Sequence, residues 1–144
     1  MQIINACLGI IYNKQKNSVL LACRPEGKPF AGYWEFPGGK LEKTESAFEA
    51  LVRELREELG INIITQDLLY LDQIEYQYPH GLVKLDIILV TAWQNEPRPL
   101  EGQKLLWYQL DADIRLEPLL PTTGKIFELL TSYLEDISQP KEII

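Results

Sequence analysis

The period of apolar and polar positions changes several times along the chain, and each change marks an element. Residues 2–12, QIINACLGIIY, are a long apolar and β-branched run that predicts a buried strand. A polar turn over 13–17 and a second apolar run over 18–23 predict the returning strand of a hairpin. A loop rich in breakers, 24–29, leads to a short strand over 33–36 that delivers Pro37, Gly38 and Gly39. The period then becomes helical, because Phe48, Leu51, Val52, Leu55 and Leu59 recur at spacings of three and four. Thr44 or Ser46 can supply the N-cap oxygen, Glu49 stands where a capping box with Ser46 needs it, and Gly60 occupies a left-handed stop.

Beyond Gly60 the pattern predicts two strand-like pieces, about 61–64 and 71–78, then a turn at 79–81 containing His80, the lone histidine, expected to be exposed. Residues 82–93 are apolar enough for a central strand, and 105–108 form a short one. A closing helix over 126–137 carries Ile126, Phe127, Leu129, Leu130 and Leu134, and the tail from 138 to 144 is expected to fray. Trp107 reads as core. No internal repeat or linker interrupts the pattern, so residues 1–144 predict a single domain.

Composition narrows the function. The 46% apolar and 24% charged shares are those of an ordinary globular chain. A net charge of −7 argues against binding a nucleic-acid polymer or an anionic membrane. Neither a membrane span nor a signal peptide is legible, so the expectation is cytoplasmic. Cys7 and Cys23, without a CxxC pattern, predict two reduced, buried thiols.

The polar face of the first helix holds the chemistry. Glu54, Glu57 and Glu58 stand at i, i+3 and i+4, where like charges destabilise a helix by roughly a few tenths of a kcal/mol per pair. Arg53 has good spacing to only one of them, Glu57, which leaves surplus negative charge. Hard divalent cations pair a few carboxylates with substrate phosphates, so this face reads as a metal platform.

Gly39, Glu45, Arg53-Glu54-Leu55, Glu57-Glu58 and Gly60-Ile61, at these spacings, resemble the Nudix box at every fixed position. The resemblance implies an α/β (α+β) fold, a mixed sheet sandwiched between helices, and hydrolysis of nucleoside diphosphates linked to another moiety. It implies Mg²⁺, with Mn²⁺ as a substitute, held by Glu54, Glu57, Glu58 and the carbonyl of Gly39. The general base is one of these or Glu101, whose Glu101-Gly102-Gln103 segment resembles the loop that approaches the metal in MutT-type members; Glu54 is favoured. Arg53 and Glu45 are expected to orient the loop and the glutamates.

Residues 34–40, WEFPGGK, also resemble the MutT-type nucleoside triphosphatases. That likeness implies Arg24 and Lys40 near the phosphates and Phe36 and Tyr78 beside the base. Two departures concern the base. Gly81 stands where the oxidised-guanine hydrolases contribute an arginine, and Thr123, or Thr122, stands where they read the purine with an asparagine. Threonine offers one hydroxyl in place of a planar amide, so bidentate recognition is lost.

The expectation is a Mg²⁺-dependent, MutT-like hydrolase, monomeric or homodimeric, converting a nucleoside triphosphate, with an oxidised or modified base among the candidates, to monophosphate and pyrophosphate. Hydrolysis of a nucleotide sugar or another diphosphate is the enzymatic alternative. A nucleotide-binding regulatory module without turnover is the alternative of another class, and such modules usually lack box glutamates that are all present here.

Overall fold

The apolar run at the N-terminus forms the strand on which the other layers are built. The computed structural model describes residues 2–79, 81–111 and 116–138. Strand β1 (Gln2–Asn13) is followed by β2 (Ser18–Cys23), β3 (Trp34–Glu35), β4 (Gly38–Lys40), helix α1 (Ala47–Leu59), β5 (Leu68–Tyr78), β6 (Gly81–Val90), β7 (Lys104–Gln109) and helix α2 (Pro121–Ser138). Along one edge β1 runs parallel to β6, from Gln2 opposite Gly81 to Ile11 opposite Val90. Its other edge is shared: β4 pairs across Ala6–Leu8, and β2 pairs only at Tyr12 and Asn13. The hairpin therefore opens at once, and β2 leaves to join β7 and β3. Among the described residues the strands form one seven-stranded mixed sheet with β5 on its outer edge.

Alternation along the strands feeds two cores. Cys7, Ile11, Leu20, Ile88 and Val90 face α1 and meet Leu51, Leu55 and Leu59, all fully buried. Ile10, Val19, Leu21, Ile87 and Leu89 face the opposite side and meet Ile126 and Leu130 of α2. The sheet is thus sandwiched between helices, as the resemblance implied. Gly9 permits the close approach of α1, since a Cβ there would lie 3.2 Å from a Leu51 methyl. Deleting a buried leucine from such a layer costs about 2–5 kcal/mol.

Several boundaries differ from those the periodicity predicts. Residues 61–64 are not a strand: Asn62 exchanges two backbone hydrogen bonds with Gln94 as an isolated bridge, and a 3-10 turn, Thr65–Asp67, follows. Ile61 and Ile63 are buried all the same, so their apolar character reports plugging of the core by a loop. Strand β5 begins earlier, at Leu68, while β6 stops at Val90 and leaves Trp93 to stack on Trp107 at 5.8 Å. Helix α2 begins at Pro121, because proline at a first helical position loses no intrahelical bond and presets its φ. Both cysteines are free thiols, but only Cys7 is fully buried. His80 and the tail from 139 to 144 lie outside the described residues.

Candidate active site

The loop before α1 and the helix itself are locked together by local hydrogen bonds. Ser46 caps the helix, its hydroxyl accepting from the Glu49 N–H while the Glu49 carboxylate accepts from the Ser46 N–H. Such a capping interaction contributes about 1 kcal/mol. At the other end Gly60 adopts the left-handed conformation at φ 69°, and its N–H closes the last turn onto the Arg56 carbonyl. A Cβ at Gly39 would fall 2.5 Å from the Glu54 carboxyl carbon, so a larger residue there would displace that carboxylate from its place beside Arg53. A glycine thus lets the metal-loop backbone lie directly against a glutamate of the helix.

Arg53 is the hub of this arrangement. Its Nε and one Nη donate to the two Glu45 oxygens at 2.7 and 2.8 Å, and the other Nη donates to Glu54 at 2.9 Å. It also donates to the Lys40 carbonyl at 3.1 Å, while its bond to Glu57 is longer, at 3.4 Å. The pairing with Glu57 that helical spacing predicts is therefore present but long, and the shorter bonds go to Glu45 in the preceding loop and to Glu54. The guanidinium fork satisfies Glu45 and Glu54 and leaves Glu57 mostly in solvent. The fork holds the Glu45 carboxyl down at about 2, helped by the Glu42 N–H.

Glu58 faces inward, next to Glu54. Burial, a hydrogen bond that the Glu58 carboxyl donates to the Glu54 carboxylate, and the charges of Glu54, Glu101 and Glu35 push its pKa up to about 9. Two glutamates of one helix thus crowd one partly dry site. In front of them is a cavity of about 250 Å³, lined among others by Arg24, Lys28, Glu35, Phe36, Glu58 and Glu101.

The structure brings some expected residues together here and not others. Arg24 reaches the cavity wall, but its guanidinium already grips Glu35 through two hydrogen bonds, 2.5 and 3.2 Å, and donates to the Pro29 carbonyl. Phe36 lines the cavity while being 1% exposed, its ring tilted against Phe127 at 5.1 Å. Tyr78 does not line it, although the Arg24 and Glu35 charges act on its half-buried phenol, whose pKa burial raises. Lys40 is exposed and borders a separate groove with Asn5, Glu42, Lys43 and Glu45. Thr123 is buried at 1% exposure, with its hydroxyl donating to the Trp34 carbonyl at 3.2 Å. Gly81 faces the Gln2 carbonyl so closely that a Cβ would sit 2.7 Å from it, so no arginine fits there.

Glu35, Lys28 and Gln103 are cavity residues to which sequence reasoning assigned no role. Glu35 carried a signal, a carboxylate between Trp34 and Phe36 just ahead of the glycine loop. Lys28 carried none, because its position depends on how the loop from 24 to 33 folds back.

The donor set suits a hard divalent cation. Among the described residues no three acidic side chains are already gathered as a coordination shell. The crowded Glu54–Glu58 pair, with Glu101 lining the same cavity as Glu58, nevertheless presents only oxygen ligands, and substrate phosphates commonly complete such shells.

Comparison with known proteins agrees with this geometry. The NUDIX domain family model matches residues 4–130. The chain is similar to an 8-oxo-dGTP diphosphatase of Proteus vulgaris, 44% identical over 69% of this chain and 86% of that protein. It is also similar to a CTP pyrophosphohydrolase of Escherichia coli, 34% identical over 89% of this chain and 91% of the relative. The crystal structure of a MutT Nudix hydrolase from Burkholderia pseudomallei superposes with a TM-score of 0.79 at 28% identity, covering 90% of this chain and 99% of that one. The chain belongs to the Nudix family, as a MutT-like pyrophosphohydrolase. Enzymes of this family generally use divalent metal ions and act on small nucleotides.

Proposed function

We propose that the protein hydrolyses a nucleoside triphosphate to the monophosphate and pyrophosphate with Mg²⁺, in the cytoplasm, as a monomer or homodimer. The observation that carries this reading is the cavity itself, which brings Glu58 and Glu101 together with Arg24, Lys28 and Phe36. The phosphates would lie toward the carboxylates and the base toward the end of the cavity that Phe36 lines.

Glu54, Glu57 and Glu58, with the Gly39 carbonyl and Glu101, would hold the metal. When bound, Mg²⁺ neutralises phosphate oxygens and lowers the pKa of a bound water. Glu54, aimed by Arg53, accepts the proton of the attacking water. The water oxygen bonds to phosphorus, the bridging P–O bond between the α- and β-phosphates breaks, and pyrophosphate leaves with the electron pair. Arg24 and Lys28 face the departing charge.

Two bases compete, oxidised guanine and cytosine, the ones the relatives' names point to. Thr123 favours the second, because its only proton is committed to the Trp34 carbonyl and Gly81 leaves no room for an arginine. The test is turnover with Mg²⁺ across canonical, oxidised and methylated triphosphates and nucleotide sugars, with products identified by mass. Monophosphate plus pyrophosphate from one triphosphate is the expected result, abolished by Glu57→Gln with the fold intact. Cleavage of sugar nucleotides alone, or full activity of that variant, would overturn the reading.

A further inference from the structure

We propose that Gln103 is a positioning residue, fixing Glu101 opposite the acidic end of α1; the inference rests on the pyrophosphohydrolase reading. Glu101 is an exposed loop residue followed by Gly102 in the left-handed conformation at φ 76°, so its own backbone gives it little restraint. The restraint comes from the side chain of Gln103. Its Oε1 accepts from the Glu101 N–H at 2.9 Å, and its Nε2 donates to the Glu58 carbonyl at 3.2 Å. One amide therefore joins the backbones of two carboxylate-bearing residues that face the same cavity.

The chemistry explains why the residue is a glutamine. Only a primary amide carries a donor and an acceptor at this reach; glutamate keeps the acceptor alone, and leucine keeps neither. The Glu58 carbonyl is available because carbonyls in the last turn of a helix lack intrahelical partners. The same loop fills the neighbouring vacancies, with the Leu100 N–H also on the Glu58 carbonyl at 3.1 Å and the Arg98 N–H on Leu59 at 2.9 Å. The loop thus caps the helix C-terminus, and Gln103 is the strut that reaches from that cap to Glu101. A carboxylate held in place acts at a much higher effective concentration than one on a free loop.

The experiment compares Gln103→Leu, Gln103→Glu, Glu101→Gln and the double variant Glu101→Gln/Gln103→Leu with the wild type. Gln103→Leu is expected to lower kcat by about 10–100-fold, the usual loss for a residue supporting a metal site. KM should stay within about twofold, since no ground-state contact is removed. Electron paramagnetic resonance titration should show weaker Mn²⁺ binding, and the Glu101 amide should exchange faster with deuterium in both Gln103 variants. In the Glu101→Gln background, Gln103→Leu should add nothing, because the two act as one unit. Full additivity in that cycle, or wild-type kcat in both Gln103 variants, would overturn the proposal. If the wild type cleaves no triphosphate, the functional reading falls separately. Unchanged Glu101 exchange and Mn²⁺ binding would then overturn the positioning role, and faster exchange with weaker binding would support it.

Discussion

The acidic helix and the rest of the site are built in different ways. The helix comes from one continuous stretch, residues 39–61, in which a cap, two glycines and one arginine lock its glutamates, and Glu58 carries that stretch into the cavity lining. The rest of the cavity lining is assembled from separate places, among them Arg24, Lys28, Glu35, Phe36 and Glu101, while Tyr78 and Thr123 lie off the lining. A local motif can hold catalytic groups at fixed spacing through helix geometry alone. A surface drawn from four elements can drift with loop sequence, and substrate preference is free to change there while the chemistry stays.

That contrast predicts separable kinetics. After the loss of turnover expected of Glu57→Gln, the largest effect is expected from Glu54→Gln, which removes the proposed proton acceptor and should lower kcat by about 10²–10⁴-fold with KM little changed. A smaller loss would transfer the base role to Glu101. Next comes Arg53→Lys, which keeps the charge but cannot hold Glu45, Glu54 and the Lys40 carbonyl at once. A loss of about 10–100-fold in kcat is expected from steady-state kinetics, as for other supports of a metal site.

Glu58 gives a test without turnover. Its carboxyl has a folded pKa of about 9 against an ordinary 4.5, so between those values the folded state holds a proton that the unfolded state has released. Stability from this group is complete below pH 4.5 and is lost as pH rises toward 9. Thermal melts in EDTA should therefore fall less between pH 5 and 9 for Glu58→Gln than for the wild type, and metal binding near pH 7.5 should release a proton in the wild type only. Equal slopes would show that the Glu54–Glu58 crowding is not felt.

The smallest effect is expected behind the cavity lining, where Thr123 is buried. Thr123→Val removes one hydrogen bond to Trp34, whose carbonyl still accepts from the Leu120 N–H at 3.3 Å, and should cost roughly 1 kcal/mol in a denaturant titration. Catalysis should be unchanged. A shift in the preference between 8-oxo-dGTP and CTP of more than about tenfold, 1.4 kcal/mol, would mean that Thr123 reads the base directly.

The acidic helix was legible from residues alone, because apolar spacing, the Ser46 cap and the Gly60 stop are all local signals. Its Arg53–Glu57 pair was legible too and is present at 3.4 Å, but spacing along a helix does not reveal that Glu45 in the preceding loop folds back to take the guanidinium at closer range. The strand expected at 61–64 failed for a related reason: a short apolar run buries equally well as a strand or as a loop that plugs a core.

The chain by itself determined the elements with strong periodicity and the chemistry carried on one helix face, because both depend on neighbours a few residues apart. Tertiary structure alone decided that Arg24 is held by Glu35, that Lys40 borders another groove, that Thr123 spends its hydroxyl on Trp34, and that Gln103 joins Glu101 to Glu58. Those facts depend on which distant backbone reaches which side chain, and that is set by the opening of the β1–β2 hairpin and by the loop that closes over the end of α1.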